Sequence, residues 1–402
     1  MRAAQFHAAG DIRIEDIPAP EPSDDRVLVE VEWCGICGSD LNEFIYGPFA
    51  IPNAKTGPHP LTNALLPVTM GHEFTGRIVH VPGSVSVANT GKYKTLRKGQ
   101  AVIVDPRIYC SSCTPCSQAA ATNSCEKLGF MGISGGGGGL SEVVSVRADH
   151  IHVLSDPEAS DRNGTQDGDA SVDLAAAALI EPLAVAWHAL EIFLSIAAAQ
   201  FCLPDRNSTV ELSDVPVLVT GAGPVGVAMV FVLRARGAKQ IFVSETSAAR
   251  REMIQETGIV SGIFDPSVDD VPKRCRGETG DGKGVGVVFD CAGAQAGFQA
   301  GCESLKFRGV YVNLAVPKGA PFTLPLGPFL WKDLIYKCSL AYDERDFKET
   351  VDAFVSGRFK GVEKMITKRV ILEDIVEKGF KELVKPNDHI KILATPKHAN
   401  IK

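Results

Sequence analysis

The chain has 402 residues, enough for two domains, and its 45% hydrophobic and 22% charged content is that of a folded protein rather than a disordered one. Its net charge of −7 weighs against nucleic acid or an anionic membrane as partner, since both need a basic face. The first ten residues carry Arg2 and His7 and no apolar core, so no secretory signal is expected, and the apolar stretch Leu174–Leu190, broken by Glu181 and His188, reads as too short and too polar to span a membrane. A reducing, cytoplasmic setting follows, where eleven cysteines are free thiols or metal ligands rather than disulfides.

The first 150 residues read as β-rich. Arg26–Glu32 and Thr75–Val81 alternate apolar and polar residues, Ala101–Asp105 is a short apolar run, and Leu140–Val146 reads as a further strand. A loop from Gly47 to Val68 holds five prolines. Two later segments, Ser155–Asp173 and Ala197–Asp214, lack a periodic apolar face and read as surface insertions. From Val215 the rhythm changes to strand–helix alternation: strand Val217–Thr220, helix Val225–Arg236, strand Gln240–Glu245 and helix Ala248–Thr257. Strands follow at Gly286–Asp290, Gly309–Ala315 and Leu334–Ala341, the mark of a doubly wound parallel sheet. The last sixty residues leave that pattern, with helices at Phe347–Ser356 and Ile375–Val384 and strands at Thr367–Ile371 and Ile390–Ala394.

Three motifs carry chemistry. Cys110, Cys113, Cys116 and Cys125 form C-x2-C-x2-C-x8-C in a segment short of apolar residues, which suits a closed tetrahedral zinc site better than disulfides or packed thiols. Such a lobe makes Cys37, His72, Glu73 and Glu181 candidates for a second metal site. Gly221, Gly223 and Gly226, with Pro224 and Val225 between them, form G-x-G-x-x-G after a strand and at the start of a helix. Gly221 permits a tight turn, Gly223 lets the backbone approach a pyrophosphate, and Gly226 allows close helix packing. Glu245, nineteen residues beyond Gly226, can accept from the ribose hydroxyls of NAD and would repel the extra phosphate of NADP; Arg250 and Arg251 just beyond would favour that phosphate, and NAD is placed first. The run Gly135–Gly139 has no such strand–helix frame.

The blocks CGICGSD (Cys34–Asp40), GHE (Gly71–Glu73), the four-cysteine lobe, EPLAVAWHAL (Glu181–Leu190) and GAGPVG (Gly221–Gly226), in that order, resemble the zinc-dependent medium-chain alcohol dehydrogenase family over nearly the whole chain. Within it, His59–Phe74 and Gly137–Leu154 look most like the butanediol dehydrogenase branch, near the sorbitol and xylitol dehydrogenases. The resemblance implies a GroES-like β-rich catalytic domain (1–183 and 343–402) and a Rossmann cofactor domain (184–342). It implies two zinc ions per chain, a catalytic one on Cys37, His72 and either Glu73 or Glu181, and a structural one on the four-cysteine lobe. It makes Ser39 the hydroxyl that hydrogen-bonds the substrate oxygen, Asp40 the carboxylate that orients His72, and it gives Cys34 no role. It implies a homodimer or homotetramer, for which the apolar Leu334–Ala341 strand is a candidate edge.

Two departures stand out. Relatives commonly carry a proton-relaying His where this chain has Asn42, which cannot take up a proton at neutral pH. The Cys116–Cys125 gap is one residue longer than the family's usual spacing. The expected reaction is hydride transfer between a secondary alcohol, such as a vicinal diol or its hydroxyketone, and NAD. The alternatives are a polyol dehydrogenase of sorbitol or xylitol type, and a non-enzymatic zinc-stapled cofactor-binding protein, for which Asn42 is the only support.

Overall fold

A single long strand, Arg26–Gly35, organises the first half of the protein. In the computed structural model, residues 1–83, 96–118, 120–155, 172–201, 210–316 and 323–401 are described. They divide into two units, one of Met1–Glu181, Asp343–Val355 and Ile366–Lys402, the other of Pro182–Tyr342 and Ser356–Met365.

In the first unit, Arg26–Gly35 sits mid-sheet. Its first residues pair antiparallel with Val143–Arg147, its length pairs with Glu73–His80, and its last two residues pair with Lys391–Thr395. Ala101–Val104 and Ile151–Ser155 extend the sheet on one side and Ile366–Ile371 on the other. Alternation along the strand sends Val27, Val29 and Val31 into a core with Phe6, Phe74, Val102, Val104 and Ile392. A smaller sheet pairs Arg2–Ala8 with Asp11–Asp16 and with Val68–Thr69.

The register has a chemical consequence. Gly35 lies opposite both Glu73 and Leu393, and Cys34 opposite both Phe74 and Ala394. Three segments distant in sequence therefore meet at one sheet end, just before the chain turns into the Gly38–Tyr46 helix.

The second unit is a six-stranded, wholly parallel sheet. Its spatial order is Gly262–Phe264, Ile241–Ser244, Val217–Thr220, Val285–Asp290, Leu305–Asn313, Ile335–Cys338. Numbered along the unit this is 3-2-1-4-5-6, the doubly wound dinucleotide order. Strands covered on both faces read as unbroken apolar runs, as in Val217–Thr220 and Ile241–Ser244, where every residue is buried.

Some expectations need correcting. Residues 197–200, read as part of a surface insertion, belong to the helix Ile180–Gln200, and Ala197 is fully buried; 202–209 lie outside the described residues. The 156–171 part of the other insertion also lies outside them. The Ile180–Gln200 helix is long and apolar enough to cross a membrane by length and composition, which the shorter apolar stretch did not suggest, but half of it is buried within the protein. There Phe193 packs edge-on against Phe289 of the parallel sheet. The Ile375–Val384 helix is a π-turn, Val376–Phe380, followed by a short α-helix, Lys381–Val384.

Candidate active site and metal centres

Cys37 is the N-cap of the Gly38–Tyr46 helix, and Asp40 is its third helical residue. Asp40 is fully buried and uses both oxygens: Oδ2 accepts from the Cys37 backbone N–H at 3.0 Å, and Oδ1 lies 3.2 Å from His72 Nδ1. A carboxylate at Nδ1 turns the other ring nitrogen toward Cys37 and Ser39, and His72 Nε2 is 3.2 Å from Ser39 Oγ. Burial works against charge on His72, but Asp40 and Cys37 outweigh it and hold its pKa well above the usual histidine value.

Donor atoms of Cys37, His72 and Glu73 all lie within 4.8 Å of one another. A thiol, an imidazole and a carboxylate at that separation form a ligand set suited to zinc. Among the described residues, Glu181 is outside this grouping, although it is buried, in the first turn of the Ile180–Gln200 helix. The thiol of Cys34 is buried below and faces the Gly35 carbonyl at 3.6 Å.

Glu73 has a partner that the sequence reading missed. Lys391 Nζ donates to both Glu73 oxygens at 2.7 Å and to the Ile36 carbonyl at 3.2 Å, and both side chains are 1% exposed. A Cβ on Gly35 would fall 2.2 Å from Glu73 Oε2, so glycine is needed there for the carboxylate to lie where it does. The one sequence signal is a lysine between Ile390 and Ile392, an ammonium inside an apolar run.

In the lobe the four sulfurs of Cys110, Cys113, Cys116 and Cys125 also lie within 4.8 Å of one another. Cys125 Sγ is 3.6 Å from Cys110 Sγ and 3.9 Å from Cys113 Sγ. Sulfurs about 2.3 Å from a common tetrahedral centre lie about 3.8 Å apart, so the spacing fits a metal ion. A short turn, Thr122–Ser124, leads into Cys125. Backbone N–H groups of Cys110, Cys113 and Lys127 point at the sulfurs from 3.3 Å. Hydrogen bonds from Ser112, then from Cys113, hold the Cys110 thiol down at about 5. Burial, then Cys113 and Cys125, push Cys116 up to about 12, so a thiolate there is favoured only with a cation beside it. Arg107, fully buried, ties the lobe to the sheet through Asp105 and through Thr122 Oγ1 at 2.6 Å.

The glycine turn of the second unit is formed as its residues require. Gly221 has φ +89°, and a Cβ on Gly226 would lie 1.9 Å from the Gly221 carbonyl. Gly223 caps the Pro224–Ala235 helix, with Pro224 first and Val225 second. A Cβ on Gly223 would meet only Arg250 Nη1, at 3.8 Å, which leaves the turn open to a phosphate. Glu245 is 7% exposed and accepts from Ala222 N at 2.6 Å and Ser247 N at 2.7 Å. Arg251 is held by Asp265 at 2.8 Å and by the Glu245 and Thr246 carbonyls. Asp290, also missed in the sequence, ends the neighbouring strand. It accepts from Thr220 Oγ1, Tyr311 Oη, Ala292 N and Gly293 N at 2.8–3.0 Å, and so fixes the loop beside the turn.

A cofactor cradle and an open thiol–imidazole–carboxylate set in one chain define the class, a metal-binding oxidoreductase that uses a nicotinamide dinucleotide. The family models agree: residues 23–156 match the alcohol dehydrogenase GroES-like domain and residues 224–356 the zinc-binding dehydrogenase domain. The chain belongs to the zinc-dependent medium-chain alcohol dehydrogenase family. It is 35% identical to the (R,R)-butanediol dehydrogenase of Bacillus subtilis, over 98% of this chain and 100% of that protein. The X-ray structure of 2R,3R-butanediol dehydrogenase from Bacillus subtilis matches with TM-score 0.78 at 32% identity, covering 98% of this chain and 99% of that one. A Sinorhizobium meliloti structure solved bound to NADP matches with TM-score 0.77 at 25% identity, covering 98% and 99%.

Proposed function

We propose that this dehydrogenase transfers a hydride between NAD and a secondary hydroxyl of a vicinal diol, with butanediol and its hydroxyketone acetoin as the substrate pair. The observation that carries the reading is the grouping of Cys37, His72 and Glu73 beside Ser39, in a chain similar from end to end to (R,R)-butanediol dehydrogenases. Cys37 and His72, with Glu73 or Glu181, would hold one zinc ion, and the four lobe cysteines a second. A zinc ion with an open position supplies Lewis acidity, which lowers the pKa of an alcohol hydroxyl toward neutrality. Ser39 Oγ orients the substrate hydroxyl and takes its hydrogen bond. Asp40 fixes the His72 ring through Nδ1 and leaves Nε2 for the metal. Asn42, on the same helix, offers no proton relay, so the proton leaves through solvent or another group.

NAD is favoured over NADP because a buried Glu245 carboxylate stands at the end of the second strand and Arg251 is committed to Asp265. Arg250, beside Gly223, suits the pyrophosphate. We further infer a homodimer or homotetramer built on the sheet edge Ile335–Cys338, beside which Leu330, Trp331 and Leu340 are 75%, 78% and 62% exposed. We infer a cytoplasmic location from the eleven cysteines, which suit a reducing setting. Turnover of 2,3-butanediol, sorbitol and xylitol with NAD and with NADP tests the whole reading. Highest kcat/KM on the diol with NAD is expected; faster turnover of the sugar alcohols would move the protein to the polyol class, and cofactor binding without turnover would make it a binding protein.

A further inference from the structure

The Gly135–Gly139 run, unused by the cofactor turn, helps to wall a cavity of about 810 Å³ built wholly from residues of the first unit. Gly136 and Gly137, with φ of +77° and +88°, are exposed there, and among the described residues nothing accepts from their backbone N–H groups. Another wall is the Val143–Arg147 strand. Val144 and Val146 turn into the core, and alternation brings Val143, Ser145 and Arg147 to the other face, where all three line the cavity. Arg26 lies directly opposite Arg147 in the antiparallel register and lines the cavity too. Like charges facing each other across two strands repel unless a counter-charge offsets them. Arg147 has one, since Asp149 accepts from its Nε at 3.0 Å and from its Nη2. Arg26 does not: its Nε and Nη2 donate to the neutral Ser145 Oγ at 3.0 Å and the Ser145 carbonyl at 2.7 Å, and among the described residues it forms no ion pair. Burial lowers its pKa by more than the neighbouring Asp25 raises it, and Arg147 lowers it further. Arg107, the third guanidinium on the wall, is held by Asp105, and no Asp or Glu lines the cavity.

We propose that this cavity is a binding site for an aliphatic monocarboxylate, with its carboxylate between Arg26 and Arg147 and its chain against the apolar part of the wall. One guanidinium of the pair lacks a counter-charge, so a single negative charge completes it; a phosphate monoester would bring nearly two. Both arginines keep an Nη1 donor without a protein partner, and the two oxygens of one carboxylate can take one from each. Ile17, Leu61, Ile108 and Met131 supply apolar surface, and the volume is that of a small-molecule site. Cys37, Ser39, His72 and Glu73 do not line the cavity, so it is separate from the candidate metal centre they form.

The probe is octanoate, titrated calorimetrically into the full-length protein. Octanoate binds, and affinity falls about 4-fold for each CH₂ removed on the way to butanoate. Octanamide, which has the same chain without the charge, binds about 10-fold more weakly or worse. Arg147→Gln lowers octanoate affinity by a similar factor, and Cys37→Ala leaves it unchanged. Should Arg147→Gln fail to fold, Val143→Trp, which fills the cavity from the half-buried face of the same strand, decides in its place with the same loss expected. The proposal is overturned if octanoate does not bind, if octanamide binds as well, if affinity is indifferent to chain length, or if octyl phosphate binds more tightly. Wild-type affinity in the Arg147 or Val143 variant overturns it too. So does loss of binding in Cys37→Ala, which would put the acid at the metal centre and not in this cavity.

Discussion

The two candidate metal-ligand clusters are built in opposite ways. The lobe takes four cysteines from one short segment, and three of them are only part-buried. Backbone N–H groups turned toward the sulfurs support it, with the Ser112 side chain on Cys110 and Arg107 tying the lobe to the sheet. The Cys37 cluster takes its groups from a helix N-terminus and two sheet strands, one of them near the chain's end, and Asp40, His72, Glu73 and Lys391 in it are all buried. A closed set of four thiolates needs only a loop of the right length, because the metal itself supplies the order. An open set must hold its ligands apart with a position unfilled, which takes oriented second-layer groups and a counter-charge for any spare carboxylate.

That contrast predicts separable failures. Cys37→Ala should lower kcat by about 10³-fold or more, because the Lewis acid loses a ligand, while thermal unfolding barely moves. Cys125→Ser should do the reverse. Zinc content falls by about one ion per chain, and stability drops by at least ~2 kcal/mol in denaturant unfolding. Residual turnover per folded molecule should stay within a few-fold of wild type. If Cys125→Ser abolishes turnover while the protein is still folded, or Cys37→Ala unfolds it, the division between a scaffold site and a chemical site is wrong.

The glycine turn lies between the two, as local in sequence as the lobe but chemical in purpose. Glu245→Gln keeps an oxygen for the Ala222 N–H and removes the charge. The kcat/KM ratio of NAD to NADP should fall about 10-fold, measured with one alcohol at saturation. An unchanged ratio would mean that Glu245 serves only to hold the turn.

How much could be read beforehand follows the same line. Lobe, turn and five of the six parallel strands declare themselves because spacing and apolar runs are local properties; the sixth, Gly262–Phe264, is too short to show a pattern. The Gly38–Tyr46 helix does not, since nine residues opening on Gly, Ser and Asp show little periodicity. Residues 197–200 were misjudged because the polar stretch after them masks an Ala-rich helix end. Lys391 could not be assigned, because its partner lies 318 residues away and only strand register brings them together.

The smallest expected effect concerns the sheet beneath the lobe, and it distinguishes the two sites by pH. His150 stacks on Tyr109, the neighbour of Cys110, and His152, on the strand that follows His150, packs against Phe347 at 4.9 Å between ring centres. Burial lowers the His152 pKa to about 4 from the ordinary 6.5. A histidine depressed in the folded state binds fewer protons there than in the unfolded chain, so stability falls as pH drops below about 6.5 and the loss is complete below about 4. Between pH 7 and 5.5 the loss is about 1 kcal/mol. His152→Gln removes the proton and should flatten that part of the stability curve, measured by urea unfolding across the range. No comparable step is expected from Asp105, whose carboxyl is held below its usual value chiefly by Arg107 against the cost of burial, because its contribution persists until the pH falls below the carboxylate range. A slope that survives in His152→Gln would place the acid-sensitive group elsewhere, with the lobe thiolates next in line.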